Sequence, residues 1–192
     1  MKANSTNWTI PAIMFFKLFL LLPAINSFAQ VKTSYSDKRF TYTIIIDSTA
    51  SDDSSHFDCL VKSIAIIEKT TKTNIQTISV SDNSFFCGSK NDLILFIEDE
   101  NFDGQNDIRL IASCGTGPNC SFYHWIYNSS AKRFIRNKVL EKIVNPEFDK
   151  KTKQIFSTWR SSLYSHGSST YKYMNGKPVL IVGSPGGSTI IG

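Results

Sequence analysis

The stretch "LILFIEDENFDGQNDIRLIAS" (Leu93–Ser113) decides how the rest of the chain is read. Its flanks, "LILFIE" (Leu93–Glu98) and "IRLIAS" (Ile108–Ser113), are rich in Ile, Leu and Phe, which predicts two β-strands. Between them, oxygen-bearing side chains alternate around one glycine. With Asp99 as position 1, Asn101 is 3, Asp103 is 5, Gly104 is 6, Gln105 is 7 and Asp107 is 9. A hard cation such as calcium takes several oxygen ligands. Side chains at 1, 3 and 5 supply them, the backbone carbonyl at 7 adds another, and position 9 binds directly or through water. Glycine at 6 allows the sharp turn that points those oxygens inward. Position 12 is Leu110, so the bidentate glutamate of an EF-hand is missing. The spacing predicts a structural calcium loop between two strands. The alternative is an acidic, solvated hairpin loop with Asp-Gly turn chemistry.

The same β-prone texture recurs on either side. "RFTYTIIID" (Arg39–Asp47) sets Phe40, Tyr42, Ile44 and Ile46 against Thr41 and Thr43, a period of two. "LVKSIAIIEK" (60–69) and "TNIQTISV" (73–80) read as strands, the first also fitting a short helix. The polar "STASDDSSHFD" (Ser48–Asp58) reads as a loop. "SFYHWIYNSSAKRFIRN" (Ser121–Asn137) is two aromatic-rich segments about a hairpin turn, and "NPEFDKKTK" (Asn145–Lys153) is a turn before the strand "QIFSTWRSS". Asn175–Gly176 is a strong hairpin signal. No long amphipathic helix emerges. Strands at roughly ten-residue intervals predict one all-β antiparallel domain, propeller-like in its strand spacing, with the metal loop in a hairpin.

The first 29 residues read differently. Lys2 and Lys17 are the only charges before Lys32, "LFLLLPAI" is a short apolar run, and Ser27 and Ala29 are small residues placed for cleavage. This is the pattern of a secretory signal peptide, and the run is too short for a bilayer span of about 20 residues. The expected mature chain is therefore 30–192, a single β-rich domain in the periplasm or outside the cell. Removing two lysines lowers the formal charge from +5 to +3. No long Lys/Arg block follows, which argues against nucleic acid. Four cysteines in an exported chain predict disulfides, with Cys114–Cys120 and Cys59–Cys87 preferred among three pairings. A zinc site is disfavoured by the lack of CxxC or His-rich spacing.

Catalytic motifs are scarce. His56, His124 and His166 are the three histidines, no G-x-S-x-G occurs, and no Cys-His arrangement stands out. The aromatics Phe122, Tyr123, Trp125, Tyr127, Phe134 and Trp159 fit a core better than a ligand platform. The expectation is a binding protein, not an enzyme.

The order of motifs adds a further reading. "DENFDGQNDIRL" is followed by "CGTGPNCSFYHWIY", "RFIRN", "PEFD" with "KQIFSTWR", and "YKYMNGK". From Leu93 to Pro178 this order resembles the exported immunity proteins of the bacterium-killing type IV secretion systems of xanthomonads and their relatives. The loop itself is similar to the calcium loops of FG-GAP-type propeller repeats. The resemblance implies a mostly β fold, a bound calcium carried by Asp99, Asn101, Asp103, Gln105 and Asp107, and a periplasmic inhibitor. Its partner would be a secreted lysozyme-like, peptidoglycan-cleaving effector, entered at its active site by an exposed loop. "RSSLYSHGSSTYKY" (Arg160–Tyr173) is the candidate loop, with Tyr164, His166, Ser168 and Tyr171 as contacts, although "TYKY" also alternates like a strand. A calcium-stabilised module that binds the envelope or a cell surface is the competing function.

Overall fold

The alternation of Phe40, Tyr42, Ile44 and Ile46 is realised as a strand whose even-numbered side chains are buried while the threonines between them stay half-buried. This is the pleat of a strand with one face on a core. The computed structural model describes residues 29–50, 57–80, 84–87, 94–114, 119–160, 162 and 165–183. The first sheet holds β1 (Ala29–Ser36), β2 (Phe40–Ala50), β3 (Phe57–Glu68), β4 (Thr73–Ser79) and β5 (Ser84–Cys87). The second holds β6 (Leu95–Glu98), β7 (Asp107–Cys114), β8 (Cys120–Asn128) and β9 (Arg133–Arg136). The third holds β10 (Pro146–Asp149), β11 (Gln154–Arg160), β12 (His166–Met174) and β13 (Lys177–Gly183). All pairings are antiparallel, so the protein is a single all-β domain, as the sequence predicts. The sheets form no closed barrel among the described residues.

The middle sheet is buried on both faces. Ile108, Leu110, Trp125, Tyr127 and Phe134 pack with Phe40, Tyr42, Ile44, Ile64 and Ile66 of the first sheet in one core. On the other side Ile126 packs with Leu140, Ile143, Ile155, Phe148 and Tyr171 in a second core. Each such side chain, fully withdrawn from water, contributes roughly 1.5–3 kcal/mol. The predicted core role of Phe122, Trp125, Tyr127 and Phe134 holds: all four are buried.

Several boundaries differ from the sequence reading. The expected loop Ser48–Asp58 is shorter, because β2 runs to Ala50 and β3 starts at Phe57. "PEFD" is not a turn but strand β10, an edge strand, where proline is tolerated because one row of backbone groups needs no partner. Leu140–Lys142 forms a short 3-10 turn and Ser84–Cys87 a short strand, neither of which the pattern announced. β4 and β5 share one edge of β3, with β5 on Phe57–Leu60 and β4 on Ser63–Glu68. The candidate loop 160–173 is mostly strand: β12 already begins at His166. Asn175 and Gly176 both adopt positive φ, 50° and 75°, as a two-residue hairpin turn requires.

Candidate functional site

The Asp99–Asp107 loop closes the β6–β7 hairpin, with Glu98 opposite Asp107 at its base. Its side chains fold back onto its own backbone. Asp99 accepts the N–H groups of Asp103 at 3.1 Å and Gly104 at 2.9 Å. Asn101 Oδ1 accepts the Asp103 N–H at 3.0 Å, and Asp103 Oδ1 accepts that of Gln105 at 2.8 Å. Gly104 has φ +88°, the left-handed region that glycine enters without steric penalty. Phe102 also sits there, at φ 62°, and its ring packs beside Phe148 and Tyr173 of the third sheet. The loop is thereby pinned between two sheets. Asp103, Gly104 and Gln105 are exposed.

Asp107 has a different role from its neighbours. It is fully buried, and its two oxygens accept the N–H of Glu100 at 2.9 Å and of Tyr127 at 2.8 Å. It therefore ties the loop to β8. Burial pushes its carboxyl up to about 7, against the pull of those two N–H donors and with help from the charges of Glu100 and Asp103.

The donor chemistry fits a hard cation. A carboxylate offers about four lone-pair sites, so the two N–H bonds that each of Asp99, Asp103 and Asp107 accepts leave acceptor capacity. No group of three His, Cys, Asp or Glu side chains is drawn together at ligating distance among the described residues. Leu110, in place of the missing acid, is buried in the first core.

Beneath the loop lies a cluster that the sequence reading did not find. Glu100 has no exposure, and its carboxylate meets His124 Nδ1 at 2.7 Å and Arg109 Nη1 at 3.2 Å. Arg109 also pairs with Glu98, and its guanidinium lies over the rings of Phe96, Phe148 and Phe122. A signal existed: Arg109 interrupts "IRLIAS" and His124 interrupts "FYHWIY" at positions opposite each other in register. These side chains face the third sheet, while Ile108 and Trp125 face the first.

The predicted partner-binding residues divide. His166 and Ser168 are exposed on β12, while Tyr171 lies on the opposite face and packs against the second core. Tyr164 lies outside the described residues. Gly167, between the two exposed residues, is covered by Trp159: an added Cβ would sit 2.8 Å from its ring. The strand ends here are braced. Asn119 bonds both the N–H and the carbonyl of Arg160, and Asn145 links Cys120 to Thr158. This end of the third sheet therefore adjoins the Cys114–Cys120 disulfide, which closes the β7–β8 hairpin in register as predicted. It lies at the opposite ends of the strands from the Asp99–Asp107 loop. Cys59 and Cys87 sit on the paired strands β3 and β5, but their side chains, like residues 1–28, lie outside those described.

No protein-family profile matches the chain, and no curated protein matches it. A solved structure described as a Xanthomonas type IV secretion system related protein shares the fold. The TM-score is 0.57 at 16% identity, covering 80% of this chain and 84% of that one.

Proposed function

We propose that this protein is an exported inhibitor that neutralises a peptidoglycan-cleaving, lysozyme-like enzyme by occupying its active site. The observation that carries the reading is the fold shared with the Xanthomonas secretion-system protein over 80% of the chain, on which the motif order from Leu93 to Pro178 is laid out. The Cys114–Cys120 disulfide fits an oxidising compartment, and no helix among the described residues is long and apolar enough to cross a membrane. The contact surface is the braced β11–β12 end. His166 and Ser168 are among its exposed polar groups, and a histidine there can meet a catalytic carboxylate. The protein acts by binding, not by turnover.

Calcium is the proposed structural partner of the loop, with Asp99, Asn101, Asp103, Asp107 and the Gln105 carbonyl as donors. Asp103→Ala is expected to abolish any calcium-dependent rise in melting temperature. An identical rise in the variant would reduce the loop to a turn.

The test of function is a turbidity assay with cell walls and a panel of lysozyme-like hydrolases, including any effector encoded beside the gene. Near-stoichiometric inhibition is expected, weakened at least tenfold by His166→Ala. Lysis unaffected across the panel, with binding to cell walls instead, would favour the envelope-binding alternative and sink the inhibitor.

A further inference from the structure

Three hairpins, one in each sheet, are closed by turns of the same length. They are "KTTK" (69–72) between β3 and β4, "SSAK" (129–132) between β8 and β9, and "KKTK" (150–153) between β10 and β11. Each ends in a residue with left-handed backbone, and in each that residue is lysine: Lys72 at φ 56°, Lys132 at φ 49° and Lys153 at φ 53°. Glycine or asparagine is the usual occupant of such a position, since a Cβ there is disfavoured. A costlier residue repeated in three sheets points to a use for its charge.

The turns lie at one end of the molecule. Asn106 of the metal loop bonds Asp37 of the β1–β2 turn, and Lys69 Nζ donates to the Asp37 carbonyl. A groove beside the loop is lined by Asn101, Asp103, Ser129, Ser130, Tyr173 and Gly176, which joins the turns of the second and third sheets to it. Gln154 pairs with Lys172, which sets the 150–153 turn beside the Asn175–Gly176 turn. The turns at this end, 37–39, 69–72, 129–133, 150–153 and 175–177, carry ten Lys and Arg side chains against one carboxylate, Asp37. That is almost half of the 21 cations of the chain, dispersed along the sequence but gathered in space. Among them Lys72, Lys132, Lys150, Lys153 and Lys177 are exposed, with no ion pair among the described residues. The acids at this end are engaged: Asp99, Glu100 and Asp107 are buried, Glu68 pairs with Arg39, and Asp149 bonds Thr152. Asp103 is the exposed exception.

We propose that this end of the molecule docks on an anionic phospholipid surface. The cations are mostly lysines, compact point charges suited to diffuse attraction, and not the fork of arginines that reads one phosphate. They are spread across three sheets as a broad array, and the exposed hydroxyls of Thr70, Ser129 and Ser130 stand between them as phosphate donors. The three four-residue turns hold no large apolar side chain, so the contact is with headgroups and not with acyl chains. Juxtaposed Lys and Arg are drawn to anionic bilayers within a Debye length, and each adds to the binding. Docked by this end, the molecule holds the braced β11–β12 end away from the bilayer.

The test is co-sedimentation of the purified protein with vesicles of phosphatidylcholine, with and without phosphatidylglycerol, at one fixed calcium concentration. The protein is expected to pellet with the anionic vesicles only, and to release as salt is raised. The triple variant Lys72→Asn, Lys132→Asn, Lys153→Asn removes three charges while placing a residue that tolerates left-handed backbone. Binding is expected to weaken roughly a hundredfold, about fivefold per cation. The salt series on the unaltered protein decides the matter if the variant folds poorly. Equal binding to neutral vesicles, indifference to salt, or full retention by a folded triple variant overturns the proposal. Capture by soluble inorganic polyphosphate with none by vesicles also overturns it, in favour of a soluble polyanion.

Discussion

Glu100 is a carboxylate with no access to water, held by the Arg109 guanidinium and the His124 imidazole. Removing one partner of a buried ionic group leaves the others desolvated and unpaired, which costs about 3–5 kcal/mol. Glu100→Ala is therefore expected to lower the unfolding free energy by about 3 kcal/mol in urea titrations. A loss no larger than that of a surface pair would show that Arg109 and His124 are satisfied without it. Asp107 gives a pH signature. Its carboxyl sits near 7 in the folded chain, above its ordinary value of 3.8. In acid below both values, folded and unfolded chains hold the proton alike. As pH rises, the unfolded chain releases it first, so stability falls until about pH 7 and is level beyond. Chelator-treated protein is expected to melt at a lower temperature at about pH 8 than at about pH 5, with added calcium narrowing the difference. A difference untouched by calcium would place the ion elsewhere. The loop residues were legible in sequence because a donor pattern is local. Arg109 and His124 were not, because their meaning depends on a sheet packed on both faces.

At the level of elements, hairpins were readable where turn chemistry is strict. Asn175–Gly176 announced itself, whereas β10 was hidden: a proline, two acids and one phenylalanine look like a turn until β11 is laid against them. The segment 160–173 reads as loop in sequence because Ser, His and Gly are turn-prone, yet Gly167 is there to admit the Trp159 ring across a strand pair. The disulfide Cys114–Cys120 spans a sequence separation of six with Cα atoms 4.1 Å apart. Replacing both cysteines by serine is expected to cost about 2 kcal/mol, the order given by closing a short loop in the unfolded chain. Reductant should reproduce the loss in the unaltered protein and leave the double variant unchanged. Equal stability with and without the bond would assign the brace to Asn119 and Asn145 alone.

For the whole molecule, the fold class was legible and the assembly was not. Periodicity told strands from loops, but nothing in a linear pattern says that turns eighty residues apart end beside the one Asp99–Asp107 loop. Nor does it say that the second sheet carries apolar side chains, aromatic and aliphatic, toward the first and an ionic cluster toward the third. Every described strand pairs with one no more than two places away in the chain. No sheet waits for a distant segment, so each can close as soon as its own strands are present. A polypeptide passed unfolded through a narrow pore, amino end first, can thus lay down its sheets in the order they emerge. The ionic face of the middle sheet would then be left bare until the last four strands arrive to cover it.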